Sequence, residues 1–271
     1  IEYNRQDVVV EKAIRKRLLS LKPPAIEHEY WLLDQDINWR GVKVDMELVD
    51  AALACNDEIV EEATESSKLL TGLENPNSTM QLKEWLTARL GYDLETMRKD
   101  DVSNLLTQDI PSDVRKVLQN RQVLGNSSIK KYLAMKNAVC SDGRIHGMLQ
   151  FYGAMRSGRW AGRVVQLQNL PRNYLEDLDT AREVLKSRDV EMLDLLYGNP
   201  GDVIKQLIRT ALVAEDGHRF IVADFSAIEA RVIAWLAHEQ WRQDVFAQGG
   251  DIYCASESSM FHVPVEKHGV N

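Results

Sequence analysis

Apolar positions recur at helical spacing through most of the first half of the chain. From Met46 to about Leu70, Leu48, Ala51, Ala52, Cys55, Ile59 and Ala63 fall three or four apart, which predicts one long amphipathic helix. Its other face is acidic, as a solvated surface would be. At the amino end, DVVVEKAIRKRLLSL predicts a helix that stops before Pro23-Pro24, because proline restricts the residue before it and has no N–H to continue the ladder. NPNSTMQLKEWLTARLG predicts a loop and then a helix, opened by a Ser78/Gln81 capping box and closed by Gly91, with Leu82, Trp85, Leu86 and Leu90 as its apolar positions. Val114, Val117, Leu118 and Leu124 continue the spacing over 112–139, where Gly125-Asn126-Ser127-Ser128 weakens the helix or divides it in two.

After about residue 140 the pattern changes. GRIHGMLQFYGA predicts a short strand, and RSGRWAGRVVQLQNLPRN, glycine-punctuated and rich in basic and amide side chains, predicts extended strand and loop. LEDLDTAREVLKSRDVEMLDLLY predicts a charged helical segment ending at Gly198-Asn199-Pro200, with DVIKQLIRTALVA as a second helix. Asp216-Gly217 predicts a turn, and Phe220 to Ala223 is apolar and short enough for a buried strand. That strand leads into a helix whose core face is Val232, Ile233 and Leu236. Ser226 and Glu229 fit an S-x-x-E capping box, and Asp224 stands where it favours the positive end of the helix dipole. A carboxylate at the carboxyl end of a strand is also where open sheets build sites. No internal repeat or low-complexity segment interrupts the pattern.

Length and composition bound the class. A chain of 271 residues, 44% apolar and 27% charged, implies a soluble globular protein of about two domains with a sizeable core. No apolar run approaches the ~20 residues of a membrane span, and IEYNRQD lacks the order of a signal peptide. Cys55, Cys140 and Cys254 are odd in number and far apart, which suits a reducing, cytosolic setting and gives neither a disulfide framework nor a zinc site. The six histidines, His28 to His268, include no i,i+4 pair, so any metal would be held by oxygen. The formal charge is -8, yet residues 114–163 carry ten basic side chains against one acidic, a net +9 that leaves -17 for the remainder. The overall balance argues against a generic polyanion binder, although a net charge can hide a segregated basic zone of this kind.

The pattern D-F-S-x-I-E-x-R-V-x-A-x-L from Asp224 to Leu236 closely resembles the first catalytic palm motif of the family A DNA polymerases. The resemblance implies that Asp224 binds two divalent metal ions and that the Phe225 carbonyl also faces a metal. Magnesium suits such a site, since it takes hard oxygen ligands and needs one or two carboxylates. By the same match Ser226, Ile228 and Glu229 belong to the nucleotide site, with Glu229 beneath the incoming sugar, where it helps exclude ribonucleotides. The capping role of Glu229 stays open beside this one, and Arg231 is structural.

Two flanking segments carry the same resemblance in the right order. SGRWAGRVVQLQNLPRN is similar to the family's T-G-R-L-S-S-x-x-P-N-L-Q-N-I-P segment, which implies minor-groove contact for Arg159 and template or primer contacts for Gln168 and Asn169. Trp160, Arg163 and Gln166 depart from the commoner wording and resemble a phage-type branch. VFAQGGDIYCASESSMFHVPVEKHG is similar to a later segment, with Tyr253 in place of the usual histidine near the nucleotide phosphates. Asp251 and Phe246 there fit cap and core equally well. The basic zone then corresponds to the helical thumb, where Arg121, Lys130 and Lys131 would grip duplex backbone. Tyr3 and Asp7 form Y-x-x-x-D, like the last motif of the associated 3′–5′ exonuclease.

The implied fold is mixed α+β and predominantly helical: an exonuclease remnant at 1–22, a helical thumb at 23–140, and a partial palm at 141–271 with a short antiparallel sheet and a helical insertion near 174–200. The implied partners are primer-template DNA and deoxynucleoside triphosphates, with two Mg2+ ions and no membrane. The sequence contains neither the fingers helix nor the H-D-E turn of the family, so a fragment inactive by itself is expected. Two other readings stay open: a non-catalytic DNA-binding module, and a carboxylate-dependent 3′–5′ nuclease centred on Tyr3 and Asp7.

Overall fold

The structure, a computed structural model, describes residues 2–94 and 96–266. The last three residues of the VFAQGGDIYCASESSMFHVPVEKHG segment, 267–269, His268 among them, therefore lie outside the described residues. The chain divides into two compact units, Ile1–His218 and Arg219–Asn271.

The first unit opens with α1 (Glu2–Leu18) and α2 (Ala25–Arg40), followed by strand β1 (Val42–Val44) and the long helix α3 (Met46–Thr71). Helix α1 ends before Pro23-Pro24 as expected and buries none of its side chains. Helix α3 follows the predicted periodicity, with Leu48, Ala51, Ala52, Cys55 and Ala63 buried and Glu58, Glu61, Glu62 and Glu65 exposed. Asp45 caps it by accepting the Leu48 N–H at 3.1 Å, and Gly72 closes it in the left-handed conformation that glycine adopts without penalty. Helices α4 (Thr79–Leu90), α5 (Lys99–Leu106) and α6 (Ser112–Leu124) enclose a smaller core of Leu82, Leu86, Leu94, Val102, Leu105, Val114, Val117 and Leu118. Ser78 accepts the Gln81 N–H at 3.5 Å, the expected cap of α4. The predicted break at Gly125 separates α6 from α7 (Ile129–Ala138).

The remaining elements return to α3. Strands β2 (Arg144–Ile145) and β5 (Leu212–Val213) flank β1 in an antiparallel sheet ordered β2-β1-β5, with Val42 opposite Ile145 and Val44 opposite Leu212. Strands β3 (Leu149–Ala154) and β4 (Arg159–Gly162) form a separate hairpin with an irregularity between Gln150 and Ala154. The 175–197 segment is two helices rather than one, α8 (Leu178–Lys186) and α9 (Val190–Tyr197), because Arg188 turns left-handed at φ 61° and Asp189 caps α9 by accepting the Met192 N–H. The second predicted helix is also shorter. Helix α10 (Pro200–Gln206) tightens into a 3-10 turn, Leu207–Ala211, and its end joins the sheet as β5. One core runs through all these elements, from Val44, Leu48 and Cys55 through Tyr132, Met135 and Ile145 to Leu185, Leu193, Ile204 and Leu207.

Asp45 links α8 to α3. Besides capping, it accepts Arg182 Nη2 at 2.6 Å and Lys186 Nζ at 2.9 Å, while Lys186 also reaches Glu47 at 3.1 Å. Burial alone raises the Asp45 carboxyl, but the Lys186 and Leu48 hydrogen bonds and the charges of Lys186 and Arg182 together hold it below the ordinary aspartate value. A folded-state value lowered in this way adds stability above the ordinary carboxylate range, lost as pH falls through the lowered value. Asp45→Asn is therefore expected to cost about 1–3 kcal/mol at neutral pH. In urea titrations run from pH 7 downward, the gap to the parent chain should close below about pH 4.

The second unit contains α11 (Ile228–Leu236), α12 (Gln240–Ala247) and α13 (Ile252–Phe261). Phe246 and Ile252 are buried, and Asp251 caps α13 by accepting the Tyr253 and Cys254 N–H groups at 2.8 and 3.2 Å. Three expectations fail in this unit. Phe220–Ala223 is not a buried strand: it has no regular structure, and Ile221 and Val222 are almost fully exposed, because no strand among the described residues pairs with it. The Ser226/Glu229 capping box does not form, since Ala227, left-handed at φ 51°, occupies the cap position without a side-chain hydrogen bond. Val232, Ile233 and Leu236 are exposed rather than core, and Ala234 is the residue of α11 that is buried.

Candidate nucleic-acid and nucleotide sites

The candidate residues fall into two groups, one in each unit. In the first unit Arg159, Gln168 and Asn169 gather on the β3–β4 hairpin and the turn after it, whereas Arg121, Lys130 and Lys131 stand on α6 and α7 and Tyr3 and Asp7 on α1. Helix α2 holds the hairpin with two polar side chains of its own, one bonded to each strand. Asn38 pairs with Leu149 of β3 in both directions, donating Nδ2 to its carbonyl and accepting its N–H, each at 3.0 Å. Asp34, buried to 3% exposure, accepts Trp160 Nε1 of β4 at 2.8 Å and Gln35 Nε2 at 3.1 Å. The Trp160 ring also lies edge-on to Tyr30 and Phe151. A buried carboxylate is costly unless hydrogen-bonded, so Asp34 fixes the orientation of Trp160 as an apolar residue would not. Arg159 precedes Trp160 and is exposed.

Beyond β4 the chain folds tightly. Gly162 sits where a Cβ would come within 2.9 Å of the Gln166 Cα, so only glycine lets the turn return this closely. Val164 and Gln166 are left-handed, at φ 57° and 56°, conformations that cost non-glycine residues about 1–3 kcal/mol each and persist where their surroundings hold them. Between them Val165 is buried, and after the 3-10 turn Leu167–Asn169 so is Leu170. Gln168 and Asn169 stand exposed between these anchors, with Asn169 Nδ2 donating to Gln166 Oε1 at 3.1 Å.

The basic zone divides by what its side chains do. Arg115 donates to the Leu106 and Gln108 carbonyls, Lys136 pairs with Asp50 at 2.8 Å, and Arg144 pairs with Glu215 and donates to the Arg40 carbonyl. Arg121 reaches the Asn77 carbonyl and Thr79 Oγ1 at 3.4 and 3.3 Å, joining α6 to the start of α4. Lys131 donates Nζ to the Val165 carbonyl at 2.8 Å. Lys116, Lys130, Arg156, Arg159 and Arg163 are exposed. Tyr3 and Asp7 are exposed on α1, one turn apart.

In the second unit Asp224, Phe225 and Ser226 form the exposed segment before α11, with Ile228 and Glu229 in its first turn. The Asp224 carboxylate makes no hydrogen bond or ion pair among the described residues. Arg231, structural as expected, holds the segment: its Nε donates to the Ser226 carbonyl at 2.7 Å and its guanidinium lies 4.4 Å from the centre of the Phe246 ring. Tyr253 is exposed in the first turn of α13. Among the described residues no group of three or more His, Cys, Asp and Glu side chains is gathered for a metal ion. Among the described residues no helix is long and apolar enough to cross a membrane.

The family model described as DNA polymerase family A matches residues 47–270, which span both groups. The chain belongs to DNA polymerase family A. A DNA polymerase of Bacillus phage SP02 is 52% identical over 264 residues, 97% of this chain and 41% of that protein. The thermostable DNA polymerase I of Thermus aquaticus is 37% identical over 87 residues, 32% of this chain and 10% of that protein. The chain thus spans well under half the length of the curated relatives it matches. Among solved structures, the POL domain of Pol1 from M. smegmatis, in complex with DNA primer-template and dNTP, aligns with 83% of this chain and 36% of that one. At 22% identity and a TM-score of 0.54 it shares the fold, in agreement with a family A polymerase fold that is mainly helical with a small antiparallel sheet.

Sequence reasoning missed α2, Asp34, Asn38 and Arg209, whose roles lie in main-chain and buried polar contacts. Their one signal in sequence is polar residues interrupting apolar stretches. It located Arg159, Gln168 and Asn169 through the motif alone.

Proposed function

We propose that this chain contributes to a template-directed DNA polymerase, supplying thumb-type duplex contacts from residues 23–140, the hairpin turn that meets the primer-template, and the first carboxylate of a two-metal nucleotidyl-transfer site. The observation that carries this reading is the Asp224 carboxylate, exposed and unengaged on a segment that Arg231 holds, in a chain of family A. A carboxylate kept out of every internal pair is available to a ligand.

The donor set fits magnesium. The Asp224 carboxylate and the Phe225 carbonyl are adjacent hard oxygens, and Mg2+ is held by few protein ligands and several waters. When bound, two such ions stabilise the attacking 3′ oxygen and the departing pyrophosphate. Glu229 and Tyr253 serve the incoming deoxynucleoside triphosphate, Glu229 at the sugar and the Tyr253 hydroxyl as a donor towards phosphate. In the minor groove every base pair presents acceptors, so Arg159 checks pair shape without demanding a sequence, and Gln168 and Asn169 contact the strands beside it.

Fluorescence anisotropy with labelled primer-template duplex tests the DNA-binding part. Binding should be indifferent to sequence and weaken with salt at a log–log slope of about -3 to -5, as for three to five phosphate contacts from the exposed basic residues. Affinity that is unchanged between low and high salt would refute it.

A further inference from the structure

The turn that carries Gln168 and Asn169 is held from outside at three main-chain carbonyls. Lys131 of α7 donates Nζ to the Val165 carbonyl at 2.8 Å. Arg209, in the 3-10 turn after α10, donates Nη2 to the Leu170 carbonyl at 2.7 Å and Nε to the Pro171 carbonyl at 2.8 Å. These carbonyls bracket the 3-10 turn on both sides. The segment they hold contains the left-handed Gln166, and the left-handed Val164 directly precedes it. Internal bonds close it only locally, from Gln166 N–H to the Arg163 carbonyl and from Asn169 N–H to the Gln166 carbonyl. Cationic donors to carbonyls are stronger than neutral ones, and Arg209 offers two in a fixed fork.

We infer that Lys131 and Arg209 are positioning residues for DNA binding: they grip the backbone before and after the turn so that Gln168 and Asn169 meet the primer-template at a fixed height and angle. The inference rests on the DNA-binding reading above and changes one part of it. Lys131 acts through the Val165 carbonyl and not on a phosphate. The side chain already spends its charge inside the fold, on a neighbour of the contact residues. Arg209 has no place in the motif, yet its contacts lie within two residues of Asn169.

Salt dependence separates positioning from direct contact, because each lost phosphate contact lowers the slope by about 0.9, whereas a misplaced turn lowers affinity at unchanged slope. Arg209→Gln and Lys131→Met should each weaken duplex binding by about fivefold or more with the salt slope preserved. Arg209→Lys should rescue little, since an ammonium lacks the planar fork that spans two carbonyls. In a double-mutant cycle, Arg209→Gln should add almost nothing once Gln168 and Asn169 are both alanine. A slope smaller by about one, or effects that simply add to those of the Gln168 and Asn169 substitutions, would overturn the inference. Circular dichroism and urea midpoints identify any variant that fails to fold, and Lys131→Met, which leaves Arg209 in place, is the milder of the two. The DNA-binding reading fails separately if Gln168→Ala with Asn169→Ala leaves affinity intact. In that case hydrogen exchange at the Asn169 and Leu170 amides still decides whether the clamp holds, being faster in both single variants if it does and unchanged if it does not.

Discussion

Truncating Tyr132 to alanine is expected to destabilise the first unit by about 3–5 kcal/mol, the range for large aromatic residues removed from a core. Tyr132 is fully buried on α7, among residues drawn from α3, the sheet and the helices after the hairpin. Its hydroxyl donates to the Ile204 carbonyl at 2.8 Å, in the last turn of α10, where carbonyls lack helical partners. Burial pushes the phenol far up, so it stays a neutral donor throughout the working pH range. Tyr132→Phe keeps the ring and orphans the carbonyl, which should cost about 1–3 kcal/mol. Urea unfolding followed by far-UV circular dichroism measures both. The two values should differ clearly, and equal losses would show that the ring packs less than its burial implies.

The same contrast between packing and polar contacts explains what was legible in the sequence. Helices α3, α4, α6 and α7 were legible because their apolar residues recur at helical spacing and because Ser78, Gly91 and Gly125 mark their ends. Helix α2 was not, since the residue it buries is Asp34, and a buried acid breaks the apolar stripe that periodicity detects. Strand β1, at three residues, is too short to alternate convincingly. The apolar Phe220–Ala223 run suggested a strand because composition reports that a segment could be buried, whereas pairing depends on a neighbour elsewhere in the chain. Ser226 matched a capping box by spacing, and the left-handed Ala227 took the cap position instead.

The site was legible in a different way. The motifs located Asp224, Arg159, Gln168 and Asn169, which are exposed and whose meaning lies in what they present outward. The side chains that hold them, Asp34, Asn38, Arg209 and Arg231, act largely on main-chain carbonyls, buried donors or a neighbouring ring. No sequence pattern names a carbonyl as a partner. Lys131 shows the consequence, because the thumb resemblance implies phosphate for it and gives no sign of the Val165 carbonyl to which it donates.

The largest effect belongs to Asp224. Replacing it with asparagine keeps the size of the side chain and removes the charge, so on the proposed reading divalent metal loses a hard anionic ligand while the neighbouring backbone is undisturbed. A metal ion that stabilises charge in the transition state is worth several kcal/mol, and each 1.36 kcal/mol is tenfold in rate. In an extension-competent protein that carries this chain, Asp224→Asn should lower the rate of primer extension by about a thousandfold or more. Duplex affinity, which the proposed function places on the hairpin turn and the basic side chains of the first unit, should change by less than about twofold. Raising the magnesium concentration should recover little, because the missing ligand also positions the ion.

That pair of measurements tests the central claim most directly: single-turnover primer extension and duplex affinity, taken on the same preparations of parent and Asp224→Asn protein at matched magnesium. The account predicts extension lost and affinity kept. Extension retained within about tenfold in the variant would contradict it.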